Sequence, residues 1–279
     1  MIIVRPTAGL CNRMRVINSS ICLARENGIK KIKVIWEAND LLKAHFEDLF
    51  EPIEEVVLID KSFYLNFHAY YKNKTIKKRT LKEQLKSILL KQFTGSYKYY
   101  DDDNIMSFRF NVSHWNNNHR NVVFNTCEDF YPYSNEYDYY YLFKPVRSIQ
   151  RRIDELVAFF PKNIIGIHIR RTDNKKAKEI SKIELFISAM TKTLIENPLT
   201  EFYLSTDDLS VENLIKNEFG HLVHTLKNKD LDRSSNKGIE DAVVDLYCLS
   251  KTNRILGSYW SSFSGVAAWI NGIPLEIIQ

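Results

Sequence analysis

The segment IIGIHIRRTD, residues 164–173, constrains this chain more than any other stretch of its length. From Ile164 to Ile169 it is apolar at nearly every position, and it reads as a buried strand of a parallel sheet. Such a strand delivers the residues after it to the carboxyl edge of the sheet. Here those are Arg170, Arg171 and Asp173, with His168 one pleat earlier. Two adjacent guanidiniums at a strand end suit a pyrophosphate, because each is always charged and can donate two hydrogen bonds to one phosphate. The simpler use is a surface pair of Arg171 with Asp173.

The pattern around this strand repeats. Beyond Pro161, strands are predicted at 164–169, 202–205, 222–224, 255–257 and 275–278, with helices at 182–196, 209–218, 240–251 and 262–271. At the other end, Ile2 to Val4 predicts a strand, Pro6 and Gly9 a loop, and residues 12–27 a helix stopped by Gly28. Further strands are predicted at 33–36 and 56–59. This alternation predicts an α/β protein built on parallel sheets. The 279 residues exceed the usual size of one domain. We place the first at 1–145 and the second at 146–279, joined through the tyrosine-rich stretch at 127–145. Ligands of such folds bind beyond the carboxyl ends of the strands, where loops and helix N-termini meet.

Two further clusters fall at such places. FYLSTDD, residues 202–208, is a strand ending in Asp207 and Asp208; Asp208 is placed to cap the next helix, and Asp207 to fix an arginine or meet a ligand. Further on, a helix carrying Asp245 leads through a strand to Ser258, Ser261, Ser262 and Ser264 at the mouth of another helix. Hydroxyls and amides at a helix N-terminus attract anions. Asp245 sits on an otherwise apolar helix and needs a buried donor, which the N1 and amino edge of guanine would supply. Together these residues outline a nucleotide-diphosphate site that requires no metal ion.

Composition limits the alternatives. The chain carries 39 Lys and Arg against 34 Asp and Glu, a formal charge of +5, without a zinc-finger, basic-zipper or RNA-recognition signature, so nucleic acid is not an expected partner. The four cysteines, Cys11, Cys22, Cys127 and Cys248, lack metal or disulfide spacing and predict free thiols. MIIVRP has no charged segment ahead of an apolar run, and no stretch reaches 18 apolar residues, so a cytoplasmic protein is expected. A basic amphipathic helix at Lys72–Lys91 is either a core stripe with a solvated face or a peripheral anchor to the inner face of a membrane. YYDDDN, residues 99–104, has polar flanks with no strand leading in, and predicts a solvated turn rather than a metal-binding DxD motif.

The order HIRRTD, STDD, then DLYCLS and SSFS resembles the three C-terminal motifs of the fucosyltransferases that form α1,2, α1,6 and protein O-linkages. The likeness is strongest to the α1,6 and nodulation-factor enzymes, and TAGLCNRMR near the start is similar to the opening of bacterial members. The middle of the chain, about 41–138, matches no pattern. The resemblance implies a GT-B type fold, two Rossmann-like domains facing across a cleft, and inverting, metal-independent transfer from the donor GDP-β-L-fucose to a glycan or glycolipid acceptor, in bacterial surface polysaccharide or glycolipid synthesis. Position by position, it implies Arg170 on the β-phosphate with Arg171 in support. His168 and Asp245 would meet the guanine, Asp207 and Asp208 fill the acidic positions, and Ser261 and Ser262 bind phosphate. Gly9, Asn12 and Arg13 would close the site from the first domain. Glu179 takes the place of the catalytic base, offset by one residue, and Asn174 replaces a lysine or aromatic. Another GDP-sugar, or a silent binding protein of the same fold, remains the alternative.

Overall fold

The computed structural model describes residues 1–60, 97–107, 111, 121–131, 140–172 and 175–279. The chain forms two compact units, one of Met1–Ala38 and Pro52–Tyr139, the other of Asn39–Glu51 and Tyr140–Gln279. The first contains β1 (Ile2–Pro6), α1 (Leu10–Glu26), β2 (Ile32–Val34), β3 (Val56–Leu58), β4 (Tyr97–Asp101) and β5 (Asn121–Thr126). The described strands form one parallel sheet in the order β3-β2-β1-β5-β4. Ile2, Ile3 and Val4 are fully buried, which explains the short apolar run that opens the chain.

The second unit contains α2 (Arg147–Val157), β6 (Ile164–Ile169), α3 (Lys175–Ile180), α4 (Ile183–Glu196), β7 (Glu201–Thr206), α5 (Leu209–Phe219), β8 (Val223–His224), α6 (Asn236–Ser250), β9 (Ile255–Ser258), α7 (Ser262–Asn271) and β10 (Leu275–Ile278). Its sheet is also parallel, in the order β10-β9-β6-β7-β8. Strand order reverses beside β6, its first strand. A crevice for ligands therefore belongs at the carboxyl ends of β6 and β9.

Period-two alternation sorts the residues of this sheet. Ile165, Ile167 and Ile169 join Phe202 and Leu204 in a core with Phe186 and Met190 of α4 and Val211 and Ile215 of α5. The alternate positions, His168 on β6 and Tyr203 and Ser205 on β7, hydrogen-bond instead to Ser264 of α7 and Asp245 of α6. Gly166 lets the end of α6 approach this face, because a Cβ there would lie 2.8 Å from the Thr252 hydroxyl. The chemistry-bearing residues therefore share one face of the sheet with α6 and α7.

Two expectations change. A strand does lead into YYDDDN: β4 pairs in parallel with β5. Asp101 then caps the one-turn helix Asp102–Met106, and Asp102 Oδ1 accepts from Thr126 Oγ1 at 2.5 Å and the Cys127 amide at 2.8 Å. These two carboxylates organise the end of the sheet, and among the described residues no group of His, Cys, Asp and Glu has metal-binding geometry. Helix α6 begins at Asn236, before the expected start, because Ser235 caps it through the Gly238 amide at 2.8 Å. No disulfide joins the four cysteines. No helix among the described residues is long and apolar enough to cross a membrane. The basic segment Lys72–Lys91 lies outside the described residues.

Candidate nucleotide-diphosphate site

The carboxyl ends of β6 and β9 are tied together by Ser258. Its fully buried hydroxyl accepts from the Arg170 amide at 3.0 Å and donates to the His168 carbonyl at 3.2 Å. Arg170 is half-buried just beyond the strand. Gly257 permits the next element to close in, since a Cβ there would meet the Ser264 Cβ at 2.7 Å. Helix α7 thus starts directly over β9. Ser261 occupies its N-cap position, yet its side chain makes no capping bond, and its buried Oγ has no protein hydrogen-bond partner among the described residues. The uncapped N-terminus of a ten-residue helix with a spare hydroxyl, beside a half-buried arginine, is an anion-binding arrangement.

His168 lies beneath it. Its Nδ1 is 2.7 Å from Ser264 Oγ, and its ring stacks on Phe263 at 4.8 Å. Burial, then the Arg170 charge, lowers its pKa to about 3, so the imidazole is neutral near neutral pH. Asp245 is buried on α6, where Tyr203 Oη donates at 2.5 Å and Ser205 Oγ at 3.1 Å. Two neutral donors leave carboxylate lone pairs unused.

The other acidic positions hold the protein together. Asp207 accepts from the Arg171 amide at 2.6 Å, and from the Thr172 amide and hydroxyl at 3.2 and 2.6 Å. It braces the loop after β6. Asp208 caps α5, accepting from the Ser210 hydroxyl at 2.6 Å and the Ser210 amide at 2.8 Å, and this bonding lowers its pKa. Arg171 is buried, and its guanidinium donates to the Ser181 carbonyl at 2.6 Å and toward that of Lys178 at 3.4 Å, anchoring α3. Glu179 is exposed on α3, and Ser262 is half-buried at the first position of α7. Asp173 lies outside the described residues. Nearby, Trp260 adopts φ +52° and is 63% exposed, with Lys176 Nζ 3.6 Å from its ring centroid.

In the first unit, Gly9 is the N-cap of α1 and Asn12 is half-buried in its first turn. Arg13 is fully buried: Nε donates to the Ala8 carbonyl at 2.9 Å, one terminal nitrogen to that of Glu37 at 2.6 Å, and the guanidinium sits 5.0 Å from the Trp36 ring centroid. Ala8 has φ +61°. Arg13 therefore holds the turn that opens α1.

Sequence reasoning did not single out Tyr203, Thr172 or Lys229. The alternation along β7 would have placed Tyr203 on the face of Asp245; Lys229, in a loop, has no comparable signal. Shape alone is a poor guide here. A cavity of about 920 Å³ in the second unit, lined by Tyr140, Phe143, Lys144, Arg147, Tyr247 and Lys251 among others, contains none of these residues.

No protein-family model and no curated protein matches the chain. Solved structures do. The NodZ α-1,6-fucosyltransferase soaked with GDP-fucose is 17% identical, with a TM-score of 0.60 over 96% of this chain and 92% of that one. NodZ from Bradyrhizobium gives the same score at 17% identity over 95% and 90%. FUT1 of Arabidopsis thaliana in complex with GDP is 14% identical, with a TM-score of 0.64 over 99% of this chain and 69% of that one. POFUT1 in its apo form reaches 0.57 at 9% identity over 99% and 97%. Across nearly its whole length, this chain has the fold of solved fucosyltransferases.

Proposed function

We propose that this chain is a glycosyltransferase of the fucosyltransferase superfamily. It moves L-fucose from GDP-β-L-fucose to a hydroxyl of a glycan or glycolipid acceptor, with inversion and without a metal ion. The observation that carries the reading is the strand-end cluster: Arg170, the uncapped start of α7 with Ser261 and Ser262, neutral His168 and Asp245 lie on one face of a sheet beside its switch point. The fold supports it, since neighbours of that fold hold GDP or GDP-fucose.

In this reading Arg170 and the α7 amides take the diphosphate, with Arg171 keeping the loop in place. His168 and Asp245 take the guanine. An acceptor oxygen attacks the anomeric carbon, the bond from that carbon to the diphosphate oxygen breaks, and GDP leaves with the electron pair. Positive charge at the β-phosphate lowers the barrier by stabilising that leaving group. The acceptor proton passes to a base, a role we assign to Glu179, and we count Asp173 among the catalytic residues. The acceptor is a bacterial surface polysaccharide or glycolipid, and the protein is cytoplasmic, with Lys72–Lys91 either a solvated face or a peripheral anchor to the inner face of the membrane.

Titration calorimetry with GDP, GDP-fucose, GDP-mannose and UDP in EDTA tests this. Binding of GDP and GDP-fucose, lowered tenfold or more in Arg170→Ala, is the expected result, since a charge-assisted phosphate contact contributes roughly 1.5–3 kcal/mol. Absence of guanine-nucleotide binding would overturn the proposal, and a preference for GDP-mannose would change the donor sugar.

A further inference from the structure

A buried cation stands behind the base side of this site. Lys229 lies between β8 and α6, and its side chain is only 3% exposed. An ammonium withdrawn from water is costly unless its protons and charge are matched. Nζ donates to the Thr206 carbonyl at the end of β7 at 3.0 Å, lies 3.0 Å from Glu212 Oε2 on α5, and lies 3.8 Å from Asp245 Oδ2 on α6. Glu212 has a second cation, Lys216 at 2.6 Å. Among the described residues, Asp245 receives only neutral donors besides Lys229, from Tyr203 and Ser205.

We propose that Lys229 is a positioning residue that holds Asp245 as an oriented, charged acceptor for the base of the nucleotide, and so sets the preference for guanine. The inference rests on Asp245 meeting guanine in the reading above. The groups facing Asp245 are Tyr203 and Ser205 of β7, Glu212 of α5, Cys248 of its own helix and Lys229. Tyr203 and Cys248 are both held neutral by burial. Lys229 is thus the positive charge among them. Burial raises the Asp245 pKa, and Lys229 is the largest opposing influence. The same ammonium disfavours protonation of His168. Lys229 therefore favours the ionised carboxylate, while burial and Arg170 chiefly keep the imidazole neutral, the states in which both can accept from guanine N–H groups.

The test compares GDP and UDP binding in EDTA, from pH 5 to 8, for the parent, Lys229→Met, Lys229→Gln and each combined with Asp245→Asn. The glutamine variant keeps a donor for Thr206 should the methionine variant fail to fold. We expect GDP affinity to fall about tenfold at pH 7.5, the usual scale for a lost charged hydrogen bond, with UDP affinity nearly unchanged. Without Lys229 the Asp245 pKa rises further, so GDP binding should fail at a higher pH than in the parent. Removing Lys229 in the Asp245→Asn background should cost no further guanine preference, as expected for residues acting through one another. Equal losses for GDP and UDP, or losses that add to those of Asp245→Asn, would overturn the inference. A parent that binds GDP and UDP alike would instead overturn the guanine reading, and this inference with it.

Discussion

Arg13 has no access to solvent, and its guanidinium satisfies two carbonyls that nothing else in the described structure bonds through a side chain. Burial lowers its pKa to about 10, well above neutral, so the charge persists. Arg13→Ala should destabilise the protein by about 3 kcal/mol, the scale of stranding buried acceptors, measured as a shift in urea midpoint. Arg13→Lys should recover little, because one ammonium does not reproduce the fork that spans both oxygens. His168 makes a pH prediction. Its pKa is about 3 when folded against an ordinary 6.5, so the unfolded chain binds the extra proton between those values. Stability contributed by the neutral imidazole is present above pH 6.5 and is lost as pH falls toward 3. His168→Asn should therefore flatten the decline of melting temperature between pH 6.5 and 4; an unchanged slope would place the acid sensitivity elsewhere. The first motif was legible at this scale because its histidine lies in a buried strand and its arginines follow it. That Arg171 holds Lys178 and Ser181 was not, because partners seven and ten residues away depend on how the loop folds back.

Elements were legible where burial was two-sided. β6 is buried at every position, and its hydrophobic run says so directly. β4 is an edge strand in the described sheet, half-buried from Lys98 to Asp101, and its YKYYD is too polar to read as a strand. α3 buries only Ala177 and shows no apolar stripe. The seating of α7 on β9 depends on Gly257, where a Cβ would fall 2.7 Å from that of Ser264. Gly257→Ala should cost about 1–3 kcal/mol through overpacking and should also weaken nucleotide binding by displacing the start of α7. A variant that loses stability but binds GDP as before would separate α7 from the site.

At the scale of the whole molecule, ligand binding and stability are linked. GDP at about a hundred times its dissociation constant should stabilise the unit that binds it by about 2.7 kcal/mol. Hydrogen exchange should show that protection at the ends of β6, β7 and β9 and at the start of α7; protection absent from those segments would move the nucleotide elsewhere. By itself the sequence determined the class of fold, two runs of alternating strands and helices on parallel sheets, because hydrophobic periodicity is a local property. It also determined which strand ends carry charge. Tertiary structure decided the strand order that puts β9 beside β6, the inclusion of Asn39–Glu51 with the second unit, and the placing of Lys229 against Asp245. Those facts depend on contacts between residues far apart in the chain, and no local pattern encodes which of several cations will be buried beside a given carboxylate.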